Sequence, residues 1–223
     1  MQPAIYLVPF IAIAVILLIR AELLNKRRQV YAIKPAATLL VIAVALLSLR
    51  ESTWDPTYTW GVLVGLVLSL GGDVALMFKD NQKAFGVGLV LFLLAHIAYT
   101  VVFTLLGRVS PLAAVSIPLL AAVGVGFYAL IRSNLGQMRL PVIAYMVVIS
   151  VMVSRAISTL ASPLFWTGQA VMVAVGAILF YLSDMILAAN RFWRSWKYDR
   201  ISLAFYYAGQ LLIALAANAF RGP

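Results

Sequence analysis

Residues 61–78 read GVLVGLVLSLGGDVALMF, an apolar run that contains a single charged residue, Asp73. A helix that spans a bilayer needs about 20 predominantly apolar residues, and this run reaches that length with its flanks. A carboxylate inside hydrocarbon costs on the order of 3 kcal/mol, so a chain keeps one there only with a partner, a water-filled cavity or a function. The stretch therefore predicts a membrane helix that carries a functional acidic group.

A second stretch of the same kind lies near the end of the chain. Residues 181–188 read YLSDMILA and place Asp184 after a small residue and three residues before a leucine, as around Asp73. Burial and mutual repulsion disfavour two charges in one apolar site, so one carboxyl of such a pair keeps its proton while the other ionises. We therefore predict that Asp73 and Asp184 form one catalytic acid–base pair.

Composition places the whole chain in the membrane class. Of its 223 residues 64% are hydrophobic and 11% charged, with a mean hydropathy of +1.02, whereas soluble domains are about 25% charged. Connections between the apolar runs are short, so we predict one all-α transmembrane domain over residues 1–223. Its eight predicted spans are 5–24, 35–49, 58–78, 84–106, 111–131, 141–160, 164–190 and 201–220.

The net charge of +10 follows from the loops and does not indicate nucleic-acid binding. Basic residues concentrate on the cytoplasmic side of membrane proteins. Alternate loops carry 12 of them on one side against three on the other. We therefore predict both termini on the non-cytoplasmic side of a bacterial inner membrane. The 12 are Lys26, Arg27, Arg28, Lys34, Lys79, Lys83, Arg132, Arg139, Arg191, Arg194, Lys197 and Arg200, and the three are Arg50, Arg108 and Arg221.

The two aspartates are predicted to lie at one depth. Asp73 precedes the cytoplasmic end of its predicted span by five residues and Asp184 by six, which corresponds to about 8–9 Å at 1.5 Å per residue. Both spans run in the same direction, so the carboxylates can face each other. The alternative is that each carboxylate is satisfied separately, by a group such as Ser69 or Lys34.

A shift of 111 residues superimposes several polar positions. It predicts a parallel repeat of four helices plus four, of the type found in transporters. The superimposed positions are Asp73 on Asp184, His96 on Tyr207 and Tyr99 on Gln210.

The remaining polar side chains within spans are candidates for substrate binding or a proton relay. His96 and Tyr99 are three residues apart and share a helix face. Tyr207 and Gln210 repeat that spacing on the last span. Hydrogen bonds that only join helices are the equally weighted alternative. Lys34, beside Pro35 at a predicted helix start, is an interfacial anchor within reach of a carboxylate or a lipid phosphate.

No metal or other cofactor is indicated. The chain has no cysteine, which excludes thiolate sites. Counted from its span end, the single histidine, His96, lies about 18 Å deep, further in than the two aspartates.

Taken in order along the chain, these motifs resemble the YhhN-like lysoplasmalogenase family over about residues 30–216. The resemblance implies an integral membrane enzyme that hydrolyses the vinyl ether bond of lysoplasmalogens and releases a fatty aldehyde. It implies functional roles for Lys34, Asp73, His96, Tyr99, Asp184 and Gln210. The motifs are Lys34-Pro35, Gly72-Asp73, Ala95-His96-Ile97-Ala98-Tyr99, Ser183-Asp184 and Tyr206-Tyr207-Ala208-Gly209-Gln210.

The chemistry of a vinyl ether suits two carboxyl groups. Protonation of the β-carbon leaves an oxocarbenium ion, which water captures before the hemiacetal collapses to an aldehyde and an alcohol. Glycoside hydrolysis passes through a similar cation between two carboxyls. The predicted partners are a single-chain ether phospholipid substrate and the surrounding membrane lipids, and no oligomeric state is predicted.

Two other classes compete with this reading. A proton-coupled small-molecule or lipid transporter also uses intramembrane aspartates and internal repeats. An intramembrane aspartyl protease would need a glycine where this chain has Leu70. The transporter is therefore the main alternative.

Overall fold

The computed structural model describes residues 3–51, 53–78, 81–196 and 200–219, and every regular element in these ranges is helical. Short 3-10 turns flank several of the α-helices. The all-α prediction is confirmed for the described ranges. The α-helices are α1 (Val8–Leu23), α2 (Arg27–Leu47), α3 (Pro56–Leu76), α4 (Gln82–Leu106), α5 (Pro111–Ile131), α6 (Arg139–Ser158), α7 (Thr167–Phe192) and α8 (Ile201–Ala216).

Seven of these helices, counted with their flanking turns, are long and apolar enough to cross a membrane. α8 is apolar but shorter, at 16 residues, and continues as a 3-10 turn over Ala217–Ala219. Large hydrophobic side chains remain exposed along most helices, as expected where lipid replaces water. The chain is an integral membrane protein, and its helices pack as a polytopic bundle. Lys79, Lys197, Arg221 and position 220 of the last predicted span lie outside the described residues.

The short second span predicted over 35–49 is wrong. α2 begins at Arg27, and a 3-10 turn extends it to Arg50. Pro35 therefore lies inside the helix instead of opening it. Membrane helices tolerate an internal proline because neighbouring helices and polar side chains satisfy the backbone group that it frees.

Helix starts follow the turn signals in the sequence. The side chain of Asp55 accepts a hydrogen bond from the Tyr58 amide at 2.7 Å, and Ser110 accepts one from the Ala113 amide at 3.2 Å. Each cap is followed by a proline at the first helical position, whose missing amide costs nothing there. These caps fix where α3 and α5 begin.

Glycines allow the two most extensive helix contacts, α3 with α4 and α7 with α8. A Cβ added at Gly65 would lie 2.2 Å from the ring of Tyr99, so glycine at this position allows Tyr99 of α4 to pack directly against α3. Gly176 and Gly209 face each other, and a Cβ at Gly209 would lie 2.6 Å from the Gly176 carbonyl oxygen. Small residues that bring backbones together are a usual means of helix association in membranes.

Replacing Gly209 with alanine is expected to lower the free energy of unfolding by about 1–3 kcal/mol, because the methyl group meets backbone that cannot rotate away. Gly126→Ala is the matched control, since a Cβ there meets nothing within 4 Å, and alanine favours a helix by about 1 kcal/mol. Thermal unfolding in detergent measures both variants. Equal stability of the two variants would contradict the close contact of α7 with α8.

Candidate active site

Asp73 lies in α3 and is held by three side chains from two other helices. Lys34 Nζ is 3.2 Å from Asp73 Oδ1. Thr38 Oγ1 and the Tyr206 hydroxyl both donate to Asp73 Oδ2, at 2.7 and 2.8 Å. The side chain of Asp73 is 2% exposed. One cation and two hydroxyl donors thus stabilise this carboxylate inside the protein.

The sequence-based placement of Lys34 in a basic loop is wrong. Because α2 begins at Arg27, Lys34 lies about two turns inside the helix and is buried. Thr38 follows four residues later on the same face, which brings both donors to Asp73. The Tyr207 hydroxyl donates to the Lys34 carbonyl oxygen at 3.0 Å. The prediction that Lys34 lies within reach of a carboxylate is confirmed, and the carboxylate is that of Asp73.

Asp184 has different partners. The Tyr145 hydroxyl of α6 donates to Asp184 Oδ2 at 2.5 Å. His96 Nε2 of α4 lies 3.6 Å from the same oxygen, which is longer than a direct hydrogen bond. The side chain of Asp184 is 14% exposed against 2% for Asp73. A molecule from outside the bundle therefore has access to Asp184 and not to Asp73.

The depth argument that separated His96 from the aspartates is wrong for Asp184. Helical side chains tilt toward the N-terminus of their own helix. α4 and α7 are an odd number of spans apart and run in opposite directions, so these two side chains tilt toward each other. Counting residues along the axes omits this convergence. His96 and Asp184 together supply two potential metal ligands. The described residues contain no group of three His, Cys, Asp or Glu side chains that could hold a metal ion.

An aromatic layer lies between the two aspartates. The ring of Tyr206, whose hydroxyl binds Asp73, is 5.2 Å from the ring of Phe180. Phe180 in turn lies 4.6 Å from the ring of His96, which approaches Asp184. Within the described ranges no hydrogen bond joins the two carboxylates directly. Ring contacts through Tyr206, Phe180 and His96 thus link the neighbours of the two aspartates.

The equal depths predicted for the aspartates depend on span ends that differ in the structure. α3 ends at Leu76, three residues after Asp73, and α7 ends at Phe192, eight residues after Asp184. These counts correspond to about 4.5 and 12 Å along the helix axes. The predicted numbers of residues from each aspartate to the end of its helix are wrong, because α3 is shorter and α7 longer at these ends than hydropathy indicated.

Tyr99 and Gln210 form a separate polar chain. The Tyr99 hydroxyl donates to Gln210 Oε1 at 2.8 Å, and Gln210 Nε2 donates to Ser69 Oγ at 3.0 Å. This chain joins α4, α8 and α3 inside the protein. Tyr99 and His96 have different partners in the structure, since Tyr99 binds Gln210 and His96 approaches Asp184.

A cavity of about 70 Å³ lies beside Asp184, which is space for several water molecules. Its walls are mainly leucine, phenylalanine and methionine, with Tyr145 next to the carboxylate and Arg191 further along α7. Lys34 and Asp73 are not among the lining residues. The cationic group at this cavity is therefore Arg191 and not Lys34.

Sequence reasoning missed Tyr145, Arg191 and Thr38 as contributors to these sites. Thr38 carried a usable signal, because it lies one helical turn from Lys34. Tyr145 is a polar side chain in the apolar run of α6, and a single tyrosine there does not indicate which residue it contacts. Arg191 was assigned only to the charge bias of the loops.

The profile of the YhhN family matches residues 29–217, most of the chain and all the polar residues described above. The chain belongs to the YhhN family. The family assignment confirms the resemblance seen in the ordered motifs.

Several relatives of this YhhN-family chain carry an enzyme name. Lysoplasmalogenase TMEM86A of Homo sapiens is 33% identical over 165 residues, which cover 73% of this chain and 67% of that protein. Lysoplasmalogenase TMEM86B of Mus musculus is 33% identical over 167 residues, 74% and 66% of the two chains. The uncharacterized membrane protein YhhN of Escherichia coli O157:H7 is 29% identical over 192 residues, 83% and 85% of the chains. No solved structure matches the chain.

Proposed function

We propose that this protein hydrolyses the vinyl ether bond of lysoplasmalogens, releasing a fatty aldehyde and glycerophosphoethanolamine or glycerophosphocholine. The names of the relatives support this substrate class. The observation that carries the proposal is a carboxyl group, Asp184, at the wall of an apolar cavity and hydrogen-bonded by Tyr145. The apolar lining suits the carbons of the alkenyl chain next to the vinyl ether, and the carboxyl supplies the proton that the reaction needs.

In the first step the carboxylic acid of Asp184 donates its proton to the β-carbon of the vinyl ether. The double-bond electrons form the new C–H bond, and the ether oxygen shares the positive charge of the oxocarbenium ion. The carboxylate left behind lies next to this cation and stabilises it. Tyr145 donates to that carboxylate from the protein side and holds it in place.

In the second step water adds to the oxocarbenium carbon. The ionised Asp184 accepts a proton from this water, which restores the carboxylic acid and leaves a neutral hemiacetal. Glycosidases use one carboxyl first as acid and then as base in the same way. Collapse of the hemiacetal breaks the bond to the glycerol oxygen and gives the aldehyde and the alcohol. His96 Nε2 lies 3.6 Å from the Asp184 carboxyl without a direct hydrogen bond, and His96 is not among the residues that line the cavity.

Asp73 acts in this proposal as a positioning residue. Its partners Lys34 and Thr38 fix its carboxylate, which in turn fixes the hydroxyl of Tyr206. The Tyr206 ring packs on Phe180, which packs on His96. Direct participation of Asp73 in the chemistry, as part of an aspartate dyad, stays a prediction.

We also propose several features of the architecture. The chain forms one domain with both termini on the non-cytoplasmic side of a bacterial inner membrane, as the basic loops indicate. It is built from two four-helix halves, α1–α4 and α5–α8. The main contacts of the first half, α1 with α2 and α3 with α4, recur in the second as α5 with α6 and α7 with α8, which supports this repeat.

Incubation of the detergent-purified protein with a lysoplasmalogen, followed by an assay for free fatty aldehyde, tests the proposal. We expect aldehyde and the matching glycerophosphodiester in equal amounts. A saturated 1-alkyl ether of the same headgroup is the control and should remain intact, because it has no double bond to protonate. A folded protein that releases no aldehyde from either headgroup class would instead favour the transporter.

Tyr145→Phe is expected to lower kcat about tenfold without changing KM. The substitution keeps the ring that packs 5.2 Å from His96 and removes only the donor to Asp184. The lost hydrogen bond to a carboxylate is worth roughly 1.5–3 kcal/mol. Steady-state kinetics of aldehyde release measure the effect. An unchanged kcat would mean that Tyr145 does not support the carboxylate during the reaction.

A further inference from the structure

Arg191 lies seven residues after Asp184 on α7, and both side chains line the same cavity. Seven residues make almost two full turns, so the two positions share one face of the helix about 10.5 Å apart along its axis. The cavity therefore has a carboxyl at one level and a guanidinium about two turns nearer the end of α7.

The guanidinium of Arg191 contacts the ring of Phe85. Its central carbon lies 4.8 Å from the ring centroid of Phe85 on α4, a cation–π contact. A guanidinium that lies over an aromatic ring can keep its N–H edge available to a ligand. Among the described residues no acidic side chain forms an ion pair with Arg191. Among the described lining residues, the charged group at this end of the cavity is therefore a cation.

We propose that Arg191 binds the phosphate of a single-chain glycerophospholipid while Asp184 reaches the vinyl ether of the same molecule. The proposal rests on the proposed function and identifies what the enzyme recognises in its substrate. A planar guanidinium presents paired N–H donors that match the oxygens of a phosphate. An arginine near the end of a helix also balances the helix dipole, and the experiment below separates the two roles.

The dimensions of the lipid support this assignment. Seven covalent bonds separate the phosphorus atom from the β-carbon of the vinyl ether in a 1-alkenyl glycerophospholipid. At roughly 1.2 Å of advance per bond they span about 8 Å. The axial separation of Asp184 and Arg191 is about 10.5 Å, and the hydrogen bonds at the phosphate cover the remainder. The spacing of the two residues therefore matches the distance from the phosphate to the carbon that Asp184 protonates.

Arg191→Ala is tested with two substrates, a 1-alkenyl lysophosphatidylethanolamine and a 1-alkenyl glycerol that lacks the phosphate. We expect KM for the phospholipid to rise about tenfold, equivalent to about 1.4 kcal/mol of binding, while kcat stays within about twofold. KM for the alkenyl glycerol should not change. Arg194→Ala, an exposed arginine three residues further on, is the matched control and should leave both KM values unchanged.

An equal change in KM for both substrates, or none for either, would overturn the assignment. Competition by millimolar inorganic phosphate, equal in strength to that of a lysophospholipid, would also overturn it, because the site would then hold a free anion. A binding measurement with the non-hydrolysable 1-alkyl lysophosphatidylethanolamine separates this inference from the proposed function. Wild-type protein should bind it about tenfold more tightly than 1-alkyl glycerol, and Arg191→Ala should abolish that difference even if no substrate is hydrolysed.

Discussion

Asp184→Asn is expected to lower kcat for aldehyde release by about 10²–10⁴-fold, the usual contribution of a general acid. The amide has nearly the shape of the carboxyl and still accepts the hydrogen bond from Tyr145. It has no acidic proton to give to the vinyl ether. The melting temperature of the variant should therefore stay close to that of the wild type, and the loss should appear in catalysis alone.

Asp55→Asn is the matched control for this variant. It makes the same chemical change at the cap of α3, where asparagine also accepts the amide hydrogen bond. We expect wild-type rates from it. His96→Ala should be milder than Asp184→Asn, because His96 makes no direct hydrogen bond to the carboxyl and does not line the cavity. A dead His96→Ala with an active Asp184→Asn would make the histidine the acid.

Lys34→Met is expected to destabilise the protein by about 3–5 kcal/mol, because it leaves the buried Asp73 carboxylate without its cation. Asp73→Asn should destabilise for the converse reason, since it leaves the Lys34 ammonium without a counter-charge. The double variant Lys34→Met with Asp73→Asn should regain much of the lost stability, because no uncompensated charge remains. Thermal or denaturant unfolding in detergent measures all three.

Lys83→Met provides the control for the loss of a cation. Lys83 lies in the first turn of α4 and is exposed. Substitutions of exposed residues usually change stability by at most about 0.5 kcal/mol, so we expect a small effect. If the double variant were less stable than either single variant, Lys34 and Asp73 would not act as one charge-compensated unit. If Asp73→Asn folded normally but released no aldehyde, Asp73 would take part directly in the chemistry.

Hydropathy and turn chemistry predicted most of the fold. The start of α5 at Pro111 and its end at Ile131 agree with the predicted span, because Ser110 and Pro111 give an unambiguous helix start. The start of α2 was missed, because Pro35 suggests a helix start and polar residues precede it. That polar turn is helical in the structure, since the face that carries Lys34 and Thr38 packs against Asp73.

The candidate site was predictable in its members but not in its arrangement. An acidic residue or histidine within an apolar span is conspicuous in sequence, so Asp73, Asp184 and His96 were identifiable. Which of them meet depends on helix ends and on the direction in which each side chain tilts, neither of which hydropathy defines. The pairing of His96 with Asp184 and the separation of Asp73 from the cavity therefore required the packed structure.

The most direct measurement is mass spectrometry of the products formed from a lysoplasmalogen in D₂O. Protonation at the β-carbon by an exchangeable carboxyl should give a fatty aldehyde with one deuteron on the carbon next to the carbonyl. The glycerophosphodiester should keep the original ether oxygen when the reaction is repeated in ¹⁸O-labelled water. No aldehyde, an aldehyde without the deuteron, or labelled oxygen in the glycerol product would contradict vinyl ether hydrolysis by proton transfer to carbon.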